Sequence, residues 1–204
     1  TAHELKDKLS KDYGVQVMSY KVDLENEEEI EALVRKVGRV DVLVNNAAYN
    51  DDCEVLSKTG ENFIKILKVN LVAPFLLSKE LYSELKKNGG CIVNVASTNG
   101  IDTMYPESLD YDASKAGLIN LTKNLSSAFG PEVRVNAISP GWIDTEGTAD
   151  MEPSFKKREI EKTVMKRFAT PEEIAKVVLF VASEEASYMT GSILRIDGGV
   201  KYGD

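Results

Sequence analysis

Val40-Asp41-Val42-Leu43-Val44-Asn45-Asn46-Ala47-Ala48 is the stretch on which the fold turns. A short apolar run bounded in this way reads as a parallel strand buried on both faces. Its end, from Asn45 to Ala48, carries small residues that let another molecule approach the backbone, where an open α/β sheet keeps its ligand. Two later stretches repeat the pattern. Cys91-Ile92-Val93-Asn94-Val95 runs into Ala96-Ser97-Thr98-Asn99-Gly100, and Val133-Arg134-Val135-Asn136-Ala137-Ile138 runs into Ser139-Pro140-Gly141-Trp142-Ile143-Asp144-Thr145. Three strands thus deliver polar or tight-turn residues at their carboxyl ends, which form one rim of the sheet.

Helices and strands alternate around these runs. The patterning predicts helix over 2–11, strand over 15–22 and helix over 27–37, the last with Ile30, Leu33, Val34 and Val37 at i, i+3, i+4 and i+7. After the strand at Val40 comes a long helix over 60–87, with Pro74 as its expected kink. The strand at Cys91, a helix over 110–129, the strand at Val133, a helix over 171–182 and a strand over 192–196 complete the chain. Such alternation means an α/β fold, a Rossmann-like doubly wound parallel sheet with helices on both faces. Segment 146–168 stands apart: it is charged, lacks an apolar stripe and directly follows the third strand end.

Composition agrees with one compact domain over 1–204. The chain has 204 residues and 43% hydrophobic content, enough for a single α/β core. Its net charge of -8 argues against nucleic acid as partner, because phosphate binding needs lysine and arginine in excess on one face. Two cysteines and one histidine imply no disulfide framework and no metal cluster. With no apolar run of membrane-spanning length and no signal-like segment, the expectation is a cytoplasmic protein without a membrane partner.

Tyr111-Asp112-Ala113-Ser114-Lys115 carries the chemistry. Residues four apart stack on one helix face, so the phenol of Tyr111 and the ammonium of Lys115 lie together. The positive charge favours the phenolate and is expected to lower the tyrosine's pKa, giving an acid/base near neutrality. Ser97 lies fourteen residues before Tyr111, and Asn70 is an amide inside an otherwise apolar-periodic helix.

These motifs resemble the short-chain dehydrogenase/reductase family. The resemblance rests on Asn45-Asn46-Ala47-Ala48, Asn70, Ser97, the Tyr111 to Lys115 motif, Pro140-Gly141 through Thr145, and Thr190-Gly191-Ser192-Ile193-Leu194-Arg195-Ile196-Asp197-Gly198-Gly199, in family order. It implies hydride transfer between NAD or NADP and a small alcohol or carbonyl substrate, a 3-oxoacyl thioester, a sugar or polyol, or another ketone. Tyr111 would move the proton at the substrate oxygen, Ser97 would polarise that oxygen, and Lys115 would tune Tyr111 and hold the nicotinamide ribose. Asn70 would bend its helix and order a water leading from Lys115 to solvent. Cofactor contacts carry over to Asp23 and Leu24 at adenine, to Asn46, Ala47 and Ala48 at the adenosine ribose, and to Pro140, Gly141, Ile143 and Thr145 at the nicotinamide, beside Tyr111 and Lys115. Segment 146–168 becomes the substrate lid. The helices over 60–87 and 110–129, and the final helix and strand, become subunit interfaces of a homotetramer or, next, a homodimer.

The chain departs from the family pattern at its start. The Thr-Gly-x-x-x-Gly-x-Gly turn that cradles a pyrophosphate is not in the sequence, nor is an opening strand-helix-strand of at least roughly 30 residues. Those segments are expected to be either present beyond these 204 residues or replaced by partner contacts; otherwise the strand over 15–22 stays detached and apolar edges are exposed. Ala48 stands where glycine is usual. The alternative to an enzyme is a shortened, non-catalytic relative serving as an oligomerising or binding module. Without backbone amides for the pyrophosphate, the 204 residues alone are expected to bind NAD(H) and NADP(H) poorly. Calorimetric titration beside a version extended upstream checks this; micromolar binding by the 204 residues contradicts it.

Overall fold

The computed structural model describes residues 2–200. Its sheet has four parallel strands in the order β1 (Val42–Asn45), β2 (Cys91–Val95), β3 (Arg134–Pro140) and β4 (Ile193–Ile196). Helices α1 (Ala2–Tyr13), α2 (Glu27–Lys36), α3 (Gly60–Leu67), α4 (Ala73–Asn88), α5 (Leu109–Phe129), α6 (Glu146–Ala149), α7 (Pro153–Lys162) and α8 (Pro171–Ala182) are threaded between them. None of the described helices is long and apolar enough to cross a membrane.

The two faces of the sheet follow from side-chain alternation along the strands. Ile92 and its register partner Val135 face Leu81, Leu85 and Leu125 of α4 and α5, while Val93 and Ile138 face Ile174 and Val181 of α8. Ile92, Val135 and Leu85 are fully buried, each contributing about 2 kcal/mol of hydrophobic stabilisation. Helix α8 begins at a capping box in which Thr170 and Glu173 satisfy each other's backbone N–H groups, with Pro171 in the first turn.

Polar side chains also cross this core. Asn45 and Asn94 are register partners, and Asn45 Nδ2 donates to Asn94 Oδ1 at 2.8 Å. Asn94 Nδ2 donates in turn to Thr122 Oγ1 of α5 at 2.9 Å, and Asn45 also reaches Ser78 of α4. Slipping β1 by one residue would turn Asn45 away from Asn94 and leave buried amides unpaired, so the network fixes the register.

Two expectations are corrected. Residues 15–22 form no strand: the segment joins no ladder among the described residues, and a strand exists only where a neighbour completes its ladder. Val15, Met18 and Tyr20 are exposed, as are Val42 and Val44 on β1, whose outer edge is unpaired; Val22 and Leu24 pack against Ile30, Ala73 and Leu76. The helix over 60–87 is not a single helix kinked at Pro74. A π-helical turn, Lys68–Val72, separates α3 from α4, and Pro74 sits in the first turn of α4. Pro74 has no N–H to offer the carbonyl of residue 70, so the irregularity falls ahead of the proline.

Replacing Asn94 by leucine should destabilise the fold by about 2–3 kcal/mol, because Asn45 is left buried with a donor unpaired. The double replacement Asn45→Leu/Asn94→Leu should cost less than the sum of the two single changes. Urea unfolding of the four variants measures the coupling, and strict additivity would refute it.

Candidate active site

Helix α5 is pinned at its first turn by two attachments. Lys58, in the loop after β1, donates to Asp110 Oδ2 at 2.9 Å and to the Asp51 carbonyl at 2.8 Å, and both members of this ion pair are buried. Asp110 also accepts from the Tyr111 N–H. One turn further along, Asn70, in the π-helical turn and fully buried, accepts from the Tyr49 N–H at 2.7 Å and donates to the Tyr49 carbonyl at 2.9 Å. Its second N–H goes to Ser114 Oγ, which donates to the Tyr111 carbonyl. The loop after β1, the π turn and the start of α5 thereby become one unit.

Ser97, at the end of β2, caps a 3₁₀ turn over Thr98–Gly100 by accepting from the Asn99 N–H. Gly100 lets that turn lie directly on α5: a Cβ there would stand 2.6 Å from the backbone carbon of Lys115. This close approach sets the Ser97 hydroxyl near enough to Tyr111 to act on its phenol, while that hydroxyl donates to Asn99 Oδ1 at 3.2 Å. Lys115 lies behind them, its Nζ 5.4 Å from the Tyr111 ring centroid and donating to the Val95 carbonyl at 2.8 Å.

The pKa directions revise one expectation. Burial pushes the Tyr111 phenol above its ordinary value, the Ser97 hydroxyl pulls it back, and the carboxylates of Asp112 and Asp52 raise it further. Lys115 does not produce the expected lowering, since desolvation dominates. The same cause lowers the buried Lys115 ammonium to about 8.

Ser97 and Tyr111 line a cavity of about 860 Å³. Tyr105, Trp142 and Phe155 make an aromatic wall, with Trp142 edge-on to Phe155 and stacked on Phe168. Trp142 Nε1 donates to the Tyr105 hydroxyl at 3.1 Å, and that hydroxyl donates to Glu159 Oε2 at 2.7 Å. Residues 145–168 arch over the cavity from a closed base: the Asp144 N–H donates to the Ala169 carbonyl and the Ala169 N–H to that of Trp142. Beyond α7, Val164 and Met165 N–H groups donate to the carbonyls of Gly199 and Gly198, both at positive φ.

A family model described as enoyl-(acyl carrier protein) reductase matches residues 1–201. The chain belongs to the short-chain dehydrogenase/reductase family. The 3-oxoacyl-[acyl-carrier-protein] reductase FabG of Aquifex aeolicus is 37% identical over 205 residues, covering 98% of this chain and 82% of the relative. FabG of Thermotoga maritima is 39% identical over 175 residues, 85% and 71% of the two chains. Among solved structures, L-sorbose reductase of Gluconobacter frateurii with NADPH and L-sorbose superposes with a TM-score of 0.89 at 29% identity, covering 97% of this chain and 82% of that one. A 4-hydroxyisoleucine dehydrogenase complexed with NADH gives 0.82 at 35% identity, with 91% and 81% covered.

Among the short-chain dehydrogenase/reductase residues expected at the site, Asn70, Ser97, Tyr111 and Lys115 come together as described. Ala48 and Gly141 also line the cavity, while Asn46 and Ala47 lie exposed beside them at the rim. Pro140 ends β3, Ile143 pairs with Ala169, and Thr145 caps α6. Asp23 and Leu24 are not in that cavity: Asp23 is exposed and accepts from the Glu25 N–H before α2. The side-chain N–H groups of Asn70 are spent on Tyr49 and Ser114, so its amide fastens the loop after β1 in addition to lying in the bend. Sequence reading missed Tyr105, Phe155, Glu159, Lys58 and Asp110. The one usable signal was Trp142, a lone tryptophan directly after a ligand-bearing strand end.

The depressed Lys115 sets a pH window. Below about 8 the ammonium is charged in both folded and unfolded chains, and its burial opposes folding in full. As pH rises from about 8 toward the ordinary lysine value, the unfolded chain holds the proton longer, so the folded state gains stability. The stability of the parent relative to Lys115→Met should therefore rise across that window; a difference flat with pH, measured by urea unfolding, contradicts the assignment.

Proposed function

We propose that Tyr111, Ser97, Lys115 and Asn70 form the catalytic group with which this NAD(P)-dependent oxidoreductase interconverts a small ketone and its secondary alcohol. The observation that carries the reading is that Ser97 and Tyr111 line one cavity with the buried Lys115 ammonium 5.4 Å from the Tyr111 ring. The named relatives are reductases and dehydrogenases, which does not favour a non-catalytic module. Substrates open to this chemistry are 3-oxoacyl thioesters, sugars or polyols, and other ketones.

The donor set at the rim suits a nicotinamide dinucleotide at its ribose end. Lys115 spends one of its three donors on Val95, leaving two for hydroxyls, and Asn46-Ala47-Ala48 is an exposed turn of small residues. When bound, NAD(P)(H) supplies or accepts the hydride. In reduction Tyr111 gives its phenolic proton to the substrate oxygen while Ser97 holds that oxygen by a hydrogen bond. The Lys115 charge stabilises the phenolate left behind, and Asn70 keeps α5 against the loop after β1 so that the two hydroxyls stay aligned. Asp23 and Leu24 are assigned to the adenine end, and Asn46, Ala47 and Ala48 to its ribose. Pro140, Gly141, Ile143 and Thr145 are assigned to the nicotinamide end.

The same reading makes residues 1–204 one Rossmann-like domain, of which Thr1 and residues 201–204 lie outside the described part, and makes 146–168 its substrate lid. Two apolar patches support a homotetramer or homodimer: Ile64, Val72 and Phe75 on one side, and Leu179, Phe180 and Tyr188 on another, all exposed. We place the protein in the cytoplasm.

Tyr111→Phe in the complete protein should abolish hydride transfer and leave cofactor affinity within a few-fold. Ser97→Ala should slow it by about two to three orders of magnitude. Steady-state reduction with cofactor titration checks both: near-parental turnover in the phenylalanine variant, or a purely thermal effect of Ser97→Ala, overturns the assignment.

A further inference from the structure

We propose that the cavity selects a neutral, hydroxyl-rich carbonyl compound, and its alcohol, over one bearing a carboxylate or phosphate. The inference rests on the oxidoreductase reading above and assigns its substrate class.

On the cavity lining the cation is matched by a carboxylate of the chain itself. Among the described residues Lys162 is the one lysine or arginine on the lining, and its ammonium lies 2.8 Å from Glu159. Arg195, just outside, pairs with Asp102 and Asp197, which do line the cavity. On the lid, Lys156 pairs with Asp144 at 2.8 Å, Arg158 lies 3.6 Å from Glu159, and Lys166 donates to the Glu161 carbonyl at 2.5 Å. An anionic substrate reaching the lining would have to break the Lys162–Glu159 pair to gain a counter-charge there.

The carboxylates are in excess. Among the described residues Asp52, on the lining, accepts from Ser108 Oγ at 2.5 Å and Asn50 Nδ2 at 2.8 Å; it also attracts the Lys58 ammonium, which Asp110 already holds, and its field is felt at Tyr111. Glu107 is exposed on the same lining, and its carboxylate has no hydrogen-bond or ion-pair partner among the described residues. A second anion beside the reacting carbonyl meets like charge in a site of reduced dielectric. Carboxylates accept hydrogen bonds and give none, so this wall answers to hydroxyl donors. In the same cavity, Tyr105, Trp142 and Phe155 offer flat apolar area for the C–H face of a ring or chain.

The test uses the complete protein with NADH or NADPH and three probes: a ketohexose, a keto-sugar acid of the same carbon number, and acetoacetyl-coenzyme A. Cofactor consumption gives kcat/KM. Quenching of Trp142, the single tryptophan of these 204 residues, gives binding independently of turnover. The ketohexose should lead the keto-sugar acid in both readouts by on the order of 10–100-fold. Asp52→Asn should narrow that ratio; because Asp52 also bonds Ser108, the exposed Glu107→Gln serves as a second variant with the same expected direction.

Preferred turnover of the keto-sugar acid or of acetoacetyl-coenzyme A would overturn the inference and leave the oxidoreductase reading standing. A ratio unmoved by both variants would overturn it as well. Tighter quenching by the ketohexose without consumption of either cofactor would support the selectivity and overturn the oxidoreductase reading.

Discussion

One amide side chain, that of Asn70, takes both backbone groups of Tyr49 and through Ser114 reaches the Tyr111 carbonyl. A π-helical turn places it there, and the ion pair of Lys58 with Asp110 holds the same end of α5 one turn earlier. Everything at the rim follows from these two attachments. The loop after β1, the turn after β2 and the start of α5 come from distant parts of the chain, and the attachments keep Ser97 and Tyr111 on one cavity wall. Both attachments are buried, so each hydrogen bond lost would leave an unpaired polar group and not a solvated one.

The site is electrostatically expensive, and the expense is local. A lysine kept almost fully buried with one backbone acceptor is driven toward its neutral form, and a phenol kept buried is driven toward its protonated form. These shifts move the two groups apart in affinity for a proton, Lys115 down to about 8 and Tyr111 up, so the phenol keeps the proton it would give to a substrate oxygen. The stability lost there is offset by the apolar layers on either face of the sheet and by the register-fixing amides of Asn45 and Asn94.

Where local chemistry decides structure, the sequence could be read to the residue. Strand Cys91–Val95 is bounded by Gly89-Gly90 and Ala96-Ser97, and helix Pro171–Ala182 opens on Thr170, Pro171 and Glu173, so both matched their expected limits. Where a tertiary partner decides, it could not. Residues 15–22 read like a strand but have no ladder to join, and the break in 60–87 falls ahead of Pro74, where Asn70 meets Tyr49 across the fold. The same division holds at the site: spacing along α5 and after β2 pointed to Tyr111, Lys115 and Ser97. The Tyr105–Trp142–Glu159 relay exists only once residues 145–168 arch back over the strand ends. The direction of the tyrosine shift was misread because a charge four residues away is visible in sequence and burial is not.

The central claim is that a reacting oxygen sits between Ser97 and Tyr111. A crystal structure of the complete protein with NAD(P)H and a non-reducible ketone analogue tests it most directly. The account predicts the analogue's oxygen within about 3 Å of both hydroxyls, with the Lys115 ammonium against the ribose hydroxyls. A ligand oxygen bonded elsewhere in the cavity, touching neither the Ser97 nor the Tyr111 hydroxyl, would contradict it.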